Sequence, residues 1–556
     1  MSSFKLELYH AAKEGSTVAL AALSSLAALD PSAFHDVVAA VRHQLRCAGP
    51  QYTSVASSKR FDIATGCFKS LWTALGSENS KVLRDPSNVT LLAETWPELC
   101  SWIVEYLKFF VVEASMTPEL QDFLATSKTL DLLHLLLEND SLLHLMIQSL
   151  DLISCLTEIS MCLLFTETPL PSQYLPTMQI ILKLGRRDEI TSRDARAAVG
   201  KTLDAMHSAR ITMVLFRIIR LTEHPAMSSS EINTVLSFLS CCSASSSKFH
   251  ANHLIHGSVS WICGMLSRML KCSYAHRQHA RSCALYLRHC IEKGPRWAAQ
   301  AVERHLVELL LKALPHASDD FTNVISGLFD SIHVHLLFRG VLRHVCRSIE
   351  RIERLGLDSQ LANASVSARE TWEAFKEVAE DRWVWRDVVA SKGEFHECSN
   401  HMCMSTESPP PVRRCQGCLN VFYCSRDCQK KDWHAHKTDC QNVQQERREG
   451  FSPQLSQRDL HFIRFVAIQD IKTADDVRDA LAKRVASVNN GFFPVVVVDY
   501  TTAPRSITVA LMGRDHLHAE WPEAMEQLGT QEQLVRIIIS SDGGEEFEIF
   551  TATTLE

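Results

Sequence analysis

No stretch of this sequence reaches the roughly 18 uncharged apolar residues that a single membrane-crossing helix requires. The nearest approach, Thr17 to Leu29, lacks charge but is only 13 residues long. Lys5, Glu7, Lys13 and Glu14 precede it, unlike the short cationic leader of a signal peptide, so it reads as a buried helix. Positive charge is not in excess either. The 57 Lys and Arg against 64 Asp and Glu leave −7 over 556 residues, which gives no support to broad, charge-driven nucleic-acid binding. The motifs of common enzyme classes are missing as well: there is no P-loop, no Gly-x-Ser-x-Gly elbow and no dinucleotide fingerprint. Proline is sparse through the first 408 residues, with eleven, and most of these sit at the edges of apolar runs as helix boundaries do.

What is present begins with cysteine. Of 19 cysteines, seven fall between Cys398 and Cys440, while twelve are scattered through apolar sequence, such as Cys67, Cys155 and Cys263. Scattered cysteines in that setting are small buried hydrophobes. Without a secretion signal they point to a reducing compartment, so an intracellular protein, nuclear or cytoplasmic, is expected.

Three regions follow one another. Residues 1–391 carry helical periodicity almost throughout. Val307, Leu310, Leu311 and Leu314 recur at i, i+3, i+4 and i+7 until Pro315 ends the run. Leu130 to Phe165 is richer still in leucine, and its polar break at Glu138 to Asp140 predicts two packed helices joined by a turn. Nearly 390 helical residues exceed what one core supports, so stacked hairpins in an irregular armadillo/HEAT-like array are expected, although no fixed repeat period is visible. Residues 394–442 hold the cysteine cluster. From 453 to 556 the character becomes α+β. Helices are predicted at Ser456–Gln469, Ala474–Val485 and His516–Leu528, strands at Pro494–Tyr500, Ser506–Met512, Leu534–Ser540 and Glu546–Thr551, and a turn at Asp542-Gly543-Gly544. The fold class expected is thus mainly α, with a metal-bound finger and a small C-terminal α+β domain.

The cluster reads Cys398-x4-Cys403, Cys415-x2-Cys418, Cys424-x3-Cys428 and His436-x3-Cys440. Seven thiols and one imidazole suffice for two tetrahedral zinc sites, because ligands a few residues apart on one turn can reach the same ion. His396, His401 and His434 are nearby alternatives. A segment this short gains folding energy from metal that Val421, Phe422, Tyr423 and Trp433 alone could not supply as a miniature core. With every ligand position filled by protein, no open site remains for zinc catalysis. Six Lys and Arg against four Asp and Glu, corrected for the bound thiolates and zinc, leave the folded finger near −1, so it has no basic footprint for nucleic acid.

Tyr423-Cys424-Ser425, Cys428-Gln429 and the Trp433-x2-His436-x3-Cys440 ending resemble the MYND-type zinc finger. The resemblance implies interleaved pairs: Cys398, Cys403, Cys424 and Cys428 for one zinc, Cys415, Cys418, His436 and Cys440 for the other. It also implies docking of a short proline-containing peptide, with Gln416, Gln429 and Trp433 at the contacting positions. Position 416 is commonly serine in such members, and the first pair is more often Cys-x2-Cys. The layout as a whole resembles MYND-type domain proteins of mushroom-forming fungi. SET-domain lysine methyltransferases also carry this finger. Here, however, Asn400-His401-x-Cys403 and Gly544-Glu545-Glu546 only echo their elements, in the wrong order and about 140 residues apart. The expectation is a non-enzymatic interaction protein with no membrane or nucleic-acid partner; nothing in the sequence indicates an oligomeric state. One rival is an enzyme with a site in or beside the C-terminal domain, where Asp499 ends a valine run. Another is a purely architectural finger. His276, His279 and Cys283, and His333 with His335, read as ordinary helix residues.

Overall fold

The computed structural model describes residues 3–48, 57–76, 82–112, 128–165, 171–185, 191–223, 227–271, 274–391, 398–400, 402–403, 413–418, 421–448, 455–474, 480, 492–513, 532–540 and 546–554. Contacts divide the chain into two units, Met1–His256 and Gly257–Glu556.

The first unit is helical throughout its described residues, and it is an irregular array held by contacts between helices near in sequence. Ser3–Lys13 packs on Thr17–Leu29, Thr17–Leu29 on Ser57–Leu75, Phe34–Ala48 on Pro86–Val112, and Pro86–Val112 on Leu150–Phe165. Thr17–Leu29 forms with the expected bounds, capped by the Ser16 hydroxyl, which accepts from the Ala19 N–H at 3.2 Å. It is buried on one face only, since Leu20 and Leu23 are enclosed while Val18 and Leu29 are 79% and 86% exposed.

The leucine-rich stretch is three helices rather than two: Thr129–Leu136, Asp140–Gln148 and Leu150–Phe165. The turn at Glu138 to Asp140 is where the sequence places it. The second break, an 83° bend, falls at Ser149. Its hydroxyl donates to the Leu145 carbonyl (2.9 Å) and accepts from the Trp96 indole N–H (3.1 Å), so a distant helix fixes a corner that no local signal marks. No single helix among the described residues is long and apolar enough to cross a membrane. Cys67, Cys155 and Cys263 are buried, and burial pushes each thiol up to about 12, the behaviour of an inert apolar side chain.

The second unit continues as helices from Ser258 to Ser391. Leu306–Ala313 buries Val307, Leu310 and Leu311, and passes into a tight turn at Pro315. Two-residue strands β1 (Arg413–Arg414) and β2 (Phe422–Tyr423) pair antiparallel in the finger, followed by the helix Arg426–Arg448. Beyond it stand the helix Gln457–Thr473 and four strands: β3 (Phe492–Asp499), β4 (Ser506–Gly513), β5 (Glu532–Ser540) and β6 (Glu546–Thr554). Their order is β4-β3-β5-β6, with β3 parallel to β5 and the outer pairs antiparallel. The valine run makes β3 an inner strand, because Val495, Val496 and Val498 on alternate faces are all buried, which a run without polar alternation predicts. The expected helix His516–Leu528 and the turn Asp542–Gly544 lie outside the described residues, as does the expected helix Ala474–Val485 apart from Ala474, the extended C-cap of the preceding helix, and Ala480.

A buried polar network ties this sheet to the helices. The Tyr500 hydroxyl donates to Asp470 Oδ2 at 2.5 Å, Arg505 pairs with Asp470 Oδ1 at 3.0 Å, and the Arg382 guanidinium lies over the Tyr500 ring. Arg382 also donates to the His333 carbonyl at 3.3 Å. Asp470, Tyr500 and Arg382 are all at most 2% exposed. Nearby, Asp459 of Gln457–Thr473 accepts from the Arg339 N–H (3.2 Å), capping a helix start 120 residues earlier in sequence.

Candidate metal centre

Each ligand pair arrives on its own short element. The Cys415 N–H donates to the Val421 carbonyl across the hairpin at 3.0 Å, and the Ser399 N–H donates to the Phe422 carbonyl at 2.8 Å, binding the first pair's loop to β2. The Ser425 hydroxyl accepts from the Cys428 N–H at 3.1 Å and starts the helix Arg426–Arg448. That helix brings Cys428 in its first turn, then His436 and Cys440 four residues apart on one face.

The result is two groups of four: Cys398, Cys403, Cys424 and Cys428, and Cys415, Cys418, His436 and Cys440, each with ligand atoms within 4.8 Å of one another. In the first group Cys424 Sγ lies 3.4 Å from Cys428 and 3.5 Å from Cys403, and Cys428 lies 3.7 Å from Cys403. In the second, Cys415 and Cys440 are 3.8 Å apart, and Cys418 Sγ is 3.3 Å from His436 Nε2. Zinc–sulfur bonds of about 2.3 Å at tetrahedral angles put sulfurs about 3.8 Å apart, so both groups have the size of a zinc tetrahedron. His436 is buried while His434 is exposed, which decides between the two; His396 and His401 lie outside the described residues.

The surroundings favour thiolate at chosen positions. The Asn400 amide and the Ser425 hydroxyl hold Cys428 down to about 6. Burial opposes ionisation of Cys415, but the N–H groups of Cys418 and Gly417, with His436, bring it down to about 7. Burial and the neighbouring thiols push Cys424 up to about 12, and burial raises Cys440 to about 11. Four close thiolates repel one another, so only a cation between them lets all ionise together.

Residues that motif spacing overlooks complete the centre. A Cβ at Gly417 would meet Cys440 Sγ at 2.7 Å, so the Cys415–Cys418 turn needs glycine to approach the ligand. The Gln444 amide donates to Cys440 Sγ at 3.3 Å, one helical turn on. The Tyr423 hydroxyl donates to Asp432 Oδ2 at 2.6 Å.

The miniature core differs from expectation. Tyr423 and Val443 pack with Cys415, Cys418 and Cys440, whereas Trp433 stays 39% exposed and sets its edge against His436, ring centres 6.1 Å apart. Phe422 turns away under the Arg458 guanidinium at 4.1 Å, linking the finger to the helix Gln457–Thr473. Gln429 is half-buried on the same helix face as Trp433, and Gln416 is exposed.

The other residues singled out in the sequence do not join this centre. The Asp499 carboxylate accepts from the Thr501 N–H (2.8 Å) and hydroxyl (2.6 Å), a turn-forming role. His335 lies within 3.0 Å of the Ile291 carbonyl, Cys283 packs beside Met269, and the side chains of His276 and His279 lie outside the described residues.

Compared with known proteins, residues 397–440 match the MYND finger family. Fifty residues are 38% identical to the SET domain and MYND-type zinc finger protein 6 of Schizosaccharomyces pombe. The match spans 9% of this chain and about a tenth (10%) of that protein. Among solved structures, SYS-1 in complex with POP-1 is similar at TM-score 0.36 and 12% identity, over 70% of this chain and 78% of that one. An engineered protein is similar at TM-score 0.32 and 13% identity, over 68% and 99%.

Proposed function

We propose that this MYND finger protein holds two structural zinc ions in interleaved sites and serves as a non-enzymatic adaptor that docks a short proline-containing segment of a partner protein. The observation that carries the zinc assignment is the pair of closed four-ligand groups, Cys398/Cys403/Cys424/Cys428 and Cys415/Cys418/His436/Cys440, each of tetrahedral size. Zinc held there would supply folding energy and fix the hairpin against the helix. Four protein ligands per ion leave no position for a reacting water, which supports a structural over a catalytic role.

Docking is supported by Trp433, an exposed indole on the same helix face as Gln429, and by the exposed Gln416. An aromatic anchor beside amide donors suits a proline-containing segment, whose restricted backbone loses little entropy on binding. The absence of a basic footprint on the finger favours protein over nucleic acid. Inert buried thiols and the reduced thiols of the finger support an intracellular setting.

Two measurements test this. Elemental analysis should give two zincs per chain, falling toward one in Cys424→Ser with the helical far-UV signal retained; one or none in the wild type removes the platform for docking. A screen of proline-containing peptides should yield binders that Trp433→Ala weakens at least tenfold without loss of zinc. Equal binding by the variant would shift the finger to a purely architectural role, which the Phe422–Arg458 contact would then carry.

A further inference from the structure

Arginine gathers where the finger meets the helices of the second unit. Arg414 on β1 is the cross-strand partner of Phe422 on β2, and its guanidinium stands 5.4 Å from the centre of that ring. Arg458, in the first turn of the helix Gln457–Thr473, stands 4.1 Å from the same centre. One aromatic ring thus holds two guanidinium groups, and cation–π attraction fixes their placement. Neither side chain has a hydrogen bond or an ion pair among the described residues. Of the Arg458 nitrogens only Nε is enclosed, so the terminal pair stays open to a ligand.

The group continues onto the helix Arg339–Arg354. Burial holds the Arg339 guanidinium below its ordinary pKa; Asp459 opposes this, while Arg458, Arg386 and Arg343 add to it. Burial acts in the same way on Arg458, and there Arg414 adds to it. Guanidinium groups that lower one another's pKa are close enough to repel.

The carboxylates at hand are already committed. Asp459 accepts from the Arg339 backbone N–H at 3.2 Å and from the Ser456 hydroxyl at 2.6 Å. Asp387 is taken up by Arg386, 2.5 Å away. Five guanidinium groups and these two carboxylates leave a formal +3. All five cations are arginine, whose planar fork matches a phosphate edge as a lysine ammonium does not.

We propose that this cluster binds a phosphorylated side chain of a partner protein, with the phosphate bonded by Arg414 and Arg458 and drawn in by the field of Arg339, Arg343 and Arg386. A phosphoserine carries about −1.5 to −2 at neutral pH, which answers the excess charge. Nucleic acid is the poorer fit. A duplex needs a track of cations along its phosphates, whereas the finger beyond Arg414 is near neutral and the whole chain carries −7. The site stands independently of peptide docking at Trp433.

Phosphorus NMR titration of the full-length, zinc-loaded protein tests this, with a glycine–serine heptapeptide carrying one phosphoserine as the probe. A saturable shift is expected, with a dissociation constant on the order of 0.1–1 mM for contacts confined to the phosphate. Arg414→Gln and Arg458→Gln should each weaken binding at least about tenfold, because each removes a forked, charge-assisted contact. Arg414 is exposed, and unchanged zinc content and far-UV signal would confirm that the variants fold. The unphosphorylated peptide should not bind, and a peptide with glutamate in place of the phosphoserine should bind at least about tenfold more weakly. The absence of a saturable shift, equal affinity in Arg414→Gln, equal binding of the glutamate peptide, or tighter binding of a short DNA duplex would overturn the proposal.

Discussion

Asp470→Ala tests whether the C-terminal sheet is locked to the helices through buried charge. Asp470 is 1% exposed, and it is the acceptor for the Tyr500 hydroxyl at 2.5 Å and for Arg505 at 3.0 Å. Burial raises its pKa against the pull of Arg505, so the carboxylate is tolerated because its neighbours answer it. Removing it leaves Arg382, at 2% exposure, and Arg505, whose side chain is 30% exposed, with no counter-charge, and leaves a buried hydroxyl without an acceptor. Removing one member of a buried ion pair costs about 3–5 kcal/mol, mostly the burden of the stranded charge. In a unit of this size that lowers the melting temperature on the order of 10 °C. Thermal unfolding by far-UV circular dichroism, with Tyr500→Phe alongside, is the assay. The Phe variant loses only a hydroxyl and should cost about 1–2 kcal/mol. A loss below about 1 kcal/mol for Asp470→Ala would refute the argument, because it would mean that water already solvates both guanidinium groups.

Four further outcomes are expected. Chelation should unfold the finger and leave the far-UV helical signal largely intact; collapse of the whole helical signal would show that the array depends on zinc. Gly417→Ala should reduce zinc content toward one per chain, since a methyl group there meets Cys440 Sγ, and unchanged zinc analysis would count against the close approach. Gly200→Ala should destabilise the first unit by about 1–3 kcal/mol in urea unfolding despite better helix propensity, because its Cβ would lie 2.1 Å from the Ser245 carbonyl oxygen. Stability should also fall in mild acid. Burial holds His253 and His335 down to about 3 and about 4, whereas in the unfolded chain they take up a proton below about 6.5. Their contribution is fully present above that pH and is lost as pH drops toward the folded values, about 2 kcal/mol each by pH 5. Urea midpoints flat between pH 6.5 and 5 would contradict this.

Spacing along the chain carried the centre itself. Ligand pairs three to five residues apart can only close locally, so four pairs in 43 residues declare their chemistry before any fold is known. Apolar periodicity likewise carried the helices, because a stripe at i, i+3 and i+4 has one way to be buried, and the unbroken valine run carried a strand, whose inner place in the sheet the structure decided. What the tertiary structure decided depends on groups remote in sequence. Ser149 breaks a helix because Trp96 reaches it, and Asp459 caps a helix 120 residues away. Trp433 stays exposed because Val443, one helical segment later, fills the place beside Tyr423. Asp470, Tyr500 and Arg382 look like ordinary surface residues in the sequence, and become a buried lock only when three elements converge. Local chemistry is legible wherever the chain must return within a few residues. Contacts that close a long loop leave no periodic trace, and only packing reveals them.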